Sequence, residues 1–154
     1  MRVEYINPFV ETAYEILTTV LEGPVRRGEL YLKSTAQPVM GVAALVGLAG
    51  DVEGRILFDM SMETALNIAS KMNGEKIDSF NELAQATINE LANMISGQAV
   101  TKLHELGFKF DLTPPATFTG DNMQVFNSQV EALIVPMNTE QGKVEVNVAI
   151  REKV

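Results

Sequence analysis

Apolar residues near the start of the chain recur at the spacing of an amphipathic helix. Residues 7–21 place an apolar side chain at every third or fourth position, which is typical of a helix with one buried face. Asn7 is the expected N-cap and Pro8 the first helical residue, because proline needs no hydrogen-bond donor there. The pair Gly23-Pro24 predicts the end of this helix.

The segments after this helix have the patterns of strands. Residues 29–34 alternate between apolar and polar positions, whereas residues 39–48 are almost continuously apolar. Residues 50–54 contain two glycines and an aspartate, which favours a turn, and residues 55–60 have the composition of a returning strand. We therefore expect a hairpin whose first strand is buried on both faces.

Two further helices are expected after the hairpin. The second covers residues 61–72, between a serine cap and the turn at Asn73-Gly74. The third covers residues 79–106, and its first residue and Glu82 have the spacing of a capping box. Strand patterns alone follow it, at residues 108–112, 123–126, 130–135 and 144–150.

The order of these elements predicts the class of fold. Strands joined by short turns pair antiparallel, and helices that do not alternate strictly with strands pack on one face of such a sheet. We predict an α+β fold, a mostly antiparallel sheet with three helices packed on one face, with residues 1–154 forming a single domain. The chain contains no G-x-G-x-x-G or P-loop sequence, which argues against a doubly wound nucleotide-binding fold.

Composition narrows the chemistry that this domain can perform. The chain has 154 residues, no cysteine, one histidine (His104) and a net charge of −8. Without cysteine there are no disulfides, thiolate metal sites or cysteine nucleophiles, and the acidic balance argues against nucleic acid as a partner. Charged residues interrupt the apolar stretches near the start, and no apolar run reaches the roughly 20 residues that cross a bilayer. We expect a cytoplasmic protein with no membrane span.

One stripe of the third predicted helix carries candidate chemistry. The core face of this helix gathers the apolar positions Ala84, Ile88, Leu91, Ile95, Ala99, Leu103 and Leu106. The outward stripe contains Ala86, Glu90, Asn93 and Gly97. A carboxylate can bind a cation and an amide can orient a water, so this pair could hydrolyse a substrate that is already activated, such as an acyl phosphate on a partner's aspartate. The alternative interpretation is a solvated helix face.

The glycine in this stripe has two interpretations of its own. Glycine inside a helix costs about 1 kcal/mol relative to alanine. Gly97 therefore indicates either that something packs close to the helix backbone or that a larger side chain would clash within the fold.

The motif around the acidic residue resembles that of a known family. Glu90-Leu91-Ala92-Asn93, followed 22 residues after its asparagine by Pro115, is similar to the signature of the CheC/CheX/FliY phosphatases. The resemblance extends over roughly residues 7–150 and is greatest to the single-motif, CheX-like members. It implies a CheX-like α+β fold and a phosphatase that acts on the aspartyl phosphate of a CheY-like response regulator.

The resemblance also implies a role for each residue of the site. Asn93 would orient the attacking water, Glu90 would pair with a lysine of the regulator, and Pro115 would shape the adjacent loop. The stripe positions Ala86 and Gly97 would lie against the partner. This chain would bind no cofactor of its own, since Mg²⁺ would be supplied by the receiver domain of the partner.

Two departures from the family pattern bear on this interpretation. The family prefers Asp or Ser at the position of Ala86, so a polar contact is expected to be missing or moved to Thr87. A second motif on the first helix would need asparagine three residues after Glu11, where this chain has Tyr14, so we expect one active site per chain.

The resemblance further implies a homodimer formed by joining sheets. A non-catalytic dimeric module that binds a receiver domain is the alternative function.

Overall fold

Three helices and ten strands lie within residues 3–33, 37–125 and 131–153, the part of the chain that the computed structural model describes. The helices are α1 (Val3–Leu21), α2 (Met62–Asn73) and α3 (Glu82–Glu105). The strands are β1 (Val25–Arg27), β2 (Tyr31–Lys33), β3 (Gln37–Pro38), β4 (Gly41–Gly50), β5 (Val52–Ser61), β6 (Phe110–Leu112), β7 (Ala116–Thr119), β8 (Gln124–Val125), β9 (Ala132–Thr139) and β10 (Gly142–Glu152).

The main sheet is antiparallel throughout its described pairings. Its strand order is β1-β9-β10-β5-β4-β6, while β2 also pairs with β9 and β7 also pairs with β4. Alternate residues of β4 and β10, beginning at Val42 and Val144, join one buried cluster with side chains from all three helices. The helices therefore cover one face of the sheet, which confirms the predicted α+β architecture. No helix in the described ranges is long and apolar enough to cross a membrane.

The first helix begins earlier than the sequence pattern predicts. It starts at Val3, so Asn7 is not its N-cap and Pro8 lies inside it. Tyr5 explains the extra turn, because its ring is buried and packs edge-on against Phe108 and Phe110. These aromatic contacts outweigh the single helical hydrogen bond that proline cannot donate.

The two later helices are confirmed, with one change of cap. Ser61 caps α2 by accepting from the backbone N–H of Thr64, and Gly74 closes it in a left-handed conformation. The N-cap of α3 is Asn81 rather than Ser79, because its side chain accepts from the N–H of Ala84 at 2.9 Å.

One residue assigned to the core face of the third helix lies elsewhere. The last helical residue of α3 is Glu105, and Leu106 beyond it is 62% exposed. Its expected core position was therefore wrong, because the chain leaves the helix before this side chain can turn toward the core.

The hairpin between β4 and β5 is tighter than expected. Strand β5 already begins at Val52, which is fully buried, so residues 52–54 are strand rather than turn. Gly54 lies inside this strand at φ +157°, and the Ala149 carbonyl of β10 leaves no room there for a side chain.

Several strand expectations fall differently in the structure. Strands β1 and β7 were not expected, because each is short and mostly exposed and lacks an alternating apolar pattern. The expected strands at 29–34, 123–126 and 130–135 correspond to β2, β8 and β9. Residues 34, 126 and 130 lie outside the described residues.

Candidate functional site

Helix α3 presents its core face to the sheet and its polar stripe to solvent. Ile88, Leu91 and Ile95 are at most 2% exposed, as their spacing predicts. Glu90 and Asn93 lie on the opposite side of the helix and are both exposed. The fold therefore holds this pair on a helix that is fixed by its buried face.

An open cleft of about 640 Å³ lies beside this stripe. Its helical wall contains Ala86, Asn89, Glu90 and Asn93, and its second wall is the segment 112–115. The structure thus brings the expected residues Ala86, Glu90, Asn93 and Pro115 to one place. Gly97 does not line this cleft but lies further along the same helix.

The second wall is held in place by strand β4. Leu48 pairs with Leu112 in β6, and Leu45 pairs with Ala116 in β7, so both short strands follow one edge of β4. The segment 113–115 interrupts this ladder, because neither proline in it can donate a backbone hydrogen bond. It therefore bulges out of the ladder toward α3.

Thr113 fixes the beginning of this bulge. Its side-chain Oγ1 accepts from the N–H of Gly47 at 2.7 Å, and its own N–H donates to the carbonyl of Gly47 at 3.0 Å. A Cβ added at Gly47 would lie 3.0 Å from Cγ2 of Thr113, so glycine permits this close approach. The loop that carries Pro115 is thereby anchored to the sheet.

Charge in the cleft comes from a single carboxylate. Of the described lining residues only Glu90 is ionisable, and it forms no ion pair within the described part of the chain. The amides of Asn89 and Asn93 flank it. This arrangement can bind a cationic group at Glu90 and exchange hydrogen bonds with water or oxygen atoms at the amides.

Asn89 is the lining residue that sequence reasoning missed. It lies three residues after Ala86 and four before Asn93, so it neighbours both on the helix surface. Its Oδ1 accepts from the hydroxyl of Thr117 in β7. Its spacing from Ala86 and Asn93 was the sequence signal that could have placed Asn89 in the site. The contact with Thr117 could not be predicted, because it depends on strand β7, which was not expected.

Thr87 does not supply the polar contact that Ala86 lacks. Its side chain is only 8% exposed, donates to the carbonyl of Leu83 at 2.7 Å and accepts from Asn73 Nδ2 at 2.8 Å. Of the two alternatives, the one in which the contact moves to Thr87 is therefore wrong, because Thr87 faces α2 rather than the cleft.

The remaining sequence candidates lie outside the cleft. A Cβ added at Gly97 would meet no described atom within 4 Å, so neither an internal clash nor a close neighbour within the described chain explains this glycine. His104 Nε2 lies 2.9 Å from the carbonyl oxygen of Phe110. Glu11 and Tyr14 line a separate depression on α1, of about 270 Å³.

The described residues contain no group of three or more His, Asp or Glu that could hold a metal.

Comparison with known proteins gives consistent matches. The family described as chemotaxis phosphatase CheX matches residues 42–138. The CheY-P phosphatase CheX of Thermotoga maritima is 30% identical over 126 residues, which is 81% of both chains.

Solved structures agree with this result. The matched chain of the CheX–CheY–BeF₃–Mg²⁺ complex from Borrelia burgdorferi is 46% identical, with a TM-score of 0.85 over 98% of this chain and 100% of that one. A CheC-like superfamily protein from Shewanella sp. PV-4 is 27% identical, with a TM-score of 0.88 over 98% and 99% of the two chains. The chain therefore belongs to the chemotaxis phosphatase CheX family.

Proposed function

We propose that this protein hydrolyses the aspartyl phosphate of a CheY-like response-regulator receiver domain. The observation that carries the proposal is the cleft in which Glu90 and Asn93 lie exposed opposite Pro115, with Glu90 unpaired among the described residues. The relative from Borrelia burgdorferi, which is 46% identical, was solved as a CheX–CheY complex with BeF₃ and Mg²⁺. That complex supports a phosphorylated receiver domain as the partner of this chain.

The proposed chemistry divides between the two polar side chains. The amide of Asn93 accepts from and donates to a water, which orients one lone pair toward phosphorus. The water oxygen bonds to phosphorus as the bond from phosphorus to the aspartyl oxygen breaks. The freed carboxylate keeps that bonding pair, one water proton stays on the phosphate product as HPO₄²⁻, and the other passes to solvent. Glu90 pairs with a lysine of the receiver and thereby fixes α3 over the reacting group.

Magnesium belongs, on this proposal, to the partner. Bound to the receiver domain, Mg²⁺ neutralises charge on the phosphoryl oxygens. This chain supplies no cofactor of its own, and the carboxylate of Glu90 is used for a lysine rather than for a metal. The regions around the cleft that bind the partner are Ala86 and the open surface at Gly97.

The assembly and location follow from the same proposal. We infer a homodimer formed at a sheet edge, which is supported by the exposed Leu30 and Leu32 beside and within the edge strand β2. Light scattering at micromolar concentration should give twice the chain mass, and a monomer mass would contradict the dimer. A receiver-domain substrate supports a cytoplasmic location. The interpretation of residues 1–154 as one CheX-like domain stays a prediction.

One experiment separates the phosphatase from a non-catalytic module. A receiver domain is phosphorylated with acetyl phosphate, the donor is removed, and decay of the phosphate is followed with and without this protein. Catalytic amounts of the protein should accelerate the decay at least tenfold. Binding to the receiver without acceleration would support the alternative function, a non-catalytic module. The missing polar side chain at Ala86 is the reason for testing that alternative.

A further inference from the structure

The cleft contains a polar side chain to which the family motif assigns no role. Asn89 lines the same cleft as Glu90 and Asn93 and is half-buried between α3 and β7. It stands one helical turn after Ala86, where the helix offers only a methyl group. Thr87 cannot act in its place, since its hydroxyl is buried against α2.

The hydrogen bond to β7 fixes the orientation of this amide. Thr117 donates its hydroxyl to Oδ1 of Asn89, so the carbonyl end of the amide points toward the strand. Because the amide group is planar, its NH₂ end points away from Thr117. Within the described part of the chain, Asn89 Nδ2 donates to no acceptor. Two oriented donors are thus left in an open cleft beside Asn93.

We propose that Asn89 is a further partner-binding residue, whose NH₂ group donates to an oxygen acceptor on the receiver domain. The inference rests on the proposed function, because it takes the receiver domain as the occupant of the cleft. The acceptor is either a phosphoryl oxygen or a backbone carbonyl of a receiver loop. Asn89 thereby supplies the polar contact that is absent at Ala86.

A purely structural role for Asn89 makes a different prediction. If the residue only ties α3 to β7, removing either partner of the hydrogen bond has the same effect. If it also donates to the receiver, Asn89→Ala loses the donor and the tie, whereas Thr117→Val loses only the tie. The two variants therefore separate the donor from the structural contact, and their double mutant shows whether Thr117 acts through Asn89.

The test measures binding of both variants to a receiver domain activated with beryllofluoride and Mg²⁺. We expect Asn89→Ala to weaken binding roughly 3- to 10-fold, the range of one neutral hydrogen bond. Thr117→Val keeps the donor but frees its orientation, so it should weaken binding by about twofold, less than Asn89→Ala does, and the double mutant should equal Asn89→Ala. Gln98→Ala, on an exposed part of α3 away from the cleft, is the control and should bind as the unmodified protein does. Thermal melts confirm that each variant is folded.

Two further measurements identify the acceptor and separate an effect on binding from an effect on catalysis. The same titrations without beryllofluoride place the acceptor: a loss confined to the activated receiver indicates a phosphoryl oxygen, and an equal loss in both indicates a loop carbonyl. At saturating protein, where weaker binding no longer limits the reaction, Asn89→Ala should slow the single-turnover rate far less than Asn93→Ala does, since Asn89 does not orient the water. Equal losses in Asn89→Ala and Thr117→Val, or unchanged binding in a folded Asn89→Ala protein, would overturn the proposal. Failure of the unmodified protein to hydrolyse the phosphate would instead count against the proposed function, because the binding test does not depend on hydrolysis.

Discussion

Asp59 and Glu145 face each other across the adjacent strands β5 and β10, on the side of the sheet away from the helices. They are 1% and 8% exposed. Asp59 accepts from the N–H of Met40 at 2.9 Å, while Glu145 accepts from the hydroxyl of Tyr31 and lies 3.7 Å from the ammonium of Lys143. Burial, followed by the negative charge of Glu145, raises the pKa of Asp59 to about 6.

This carboxyl pair predicts stability that falls as the pH rises. The pKa of Asp59 is 3.8 without the fold and about 6 within it, so the folded state binds more protons between these values. Ionised Asp59 therefore destabilises the protein above about pH 6, and this cost disappears as the pH falls toward 4. Asp59→Asn keeps an oxygen for the Met40 N–H and should raise the free energy of unfolding at pH 8 by about 1–2 kcal/mol, allowing for solvent screening.

Urea unfolding at pH 8, 6 and 4.5 checks this prediction. The stability difference between Asp59→Asn and the unmodified protein should be largest at pH 8 and shrink at the lower values. Because both proteins share every other titrating group, the difference reports Asp59 together with its interaction with Glu145. A difference that stays constant with pH would mean that this carboxyl does not titrate in the window between 3.8 and about 6.

Two buried hydroxyls predict substitutions that stabilise the fold. Thr12 Oγ1 in α1 and Ser96 Oγ in α3 are buried and have no hydrogen-bond partner among the described residues. A hydroxyl buried without a partner costs free energy. Thr12→Val keeps the side-chain shape and should raise the free energy of unfolding by about 1 kcal/mol, with a similar gain for Ser96→Ala.

The matched control for these substitutions lies on the same helix. The hydroxyl of Thr18 donates to the carbonyl of Tyr14 in a solvent-exposed hydrogen bond, so Thr18→Val should change stability by less than about 0.5 kcal/mol. Chemical unfolding of Thr12→Val, Ser96→Ala and Thr18→Val measures all three effects. A loss of stability in Thr12→Val would show that its hydroxyl does have a partner in solution.

Local patterns predicted the faces of α3 correctly because the helix repeat is intrinsic to the backbone. Ile88, Leu91 and Ile95 are buried and Glu90 and Asn93 are exposed, as an advance of about 100° per residue requires. The candidate pair could therefore be placed on one surface without any knowledge of the fold.

Features that depend on contacts between residues far apart in the sequence could not be predicted from local patterns. The early start of α1 depends on Tyr5 meeting Phe108 and Phe110, roughly a hundred residues away. The orientation of Asn89 likewise depends on Thr117, in a strand that exists because its backbone pairs with β4. Neither contact produces a periodic pattern in the sequence near the residues that make it.

The open space at Gly97 predicts a substitution that separates stability from activity. Leucine is a better helix former than glycine by roughly 1 kcal/mol, and a side chain there meets nothing in the described chain. Gly97→Leu should therefore keep or slightly raise the melting temperature. If the receiver domain approaches this surface, the added bulk should slow dephosphorylation at least tenfold.

The neighbouring position supplies the control for added bulk. Gln98→Leu introduces the same side chain on another exposed side of α3 and should leave the decay rate unchanged. Both rates are measured with the same phosphorylated receiver. Normal activity in a folded Gly97→Leu protein would show that the partner does not pack against this part of the helix.

The source of magnesium can be tested on the two proteins separately. We expect no tight Mg²⁺ binding to this chain alone, since its described residues hold no cluster of three or more metal-ligating side chains. The mixture with a phosphorylated receiver should lose its accelerated decay when EDTA removes the ion. Isothermal titration calorimetry that detects tight Mg²⁺ binding to the isolated chain would contradict this division of roles.

The roles proposed for Glu90 and Asn93 predict two different kinetic signatures. Asn93 acts on the water in the transition state, so Asn93→Ala should lower the single-turnover rate roughly 100-fold while affinity for the beryllofluoride-activated receiver stays nearly unchanged. Glu90 pairs with a receiver lysine, so Glu90→Ala should weaken binding at least about tenfold and slow turnover as well. Both side chains are exposed, so neither variant should lower the melting temperature by more than a few degrees.

Measuring affinity and single-turnover decay on the same preparations distinguishes these signatures. Gln98→Ala is the control and should change neither quantity. A Glu90→Ala protein that binds normally would remove the lysine pair from the scheme but leave the water-orienting amide in place. Hydrolysis at the unmodified rate by a folded Asn93→Ala protein would have a wider consequence, because it would contradict the mechanism as a whole. The other amide in the described lining of the cleft, Asn89, is held by Thr117 through its accepting oxygen and is assigned to partner binding. The phosphatase mechanism would then fail, and receiver binding without catalysis would replace it.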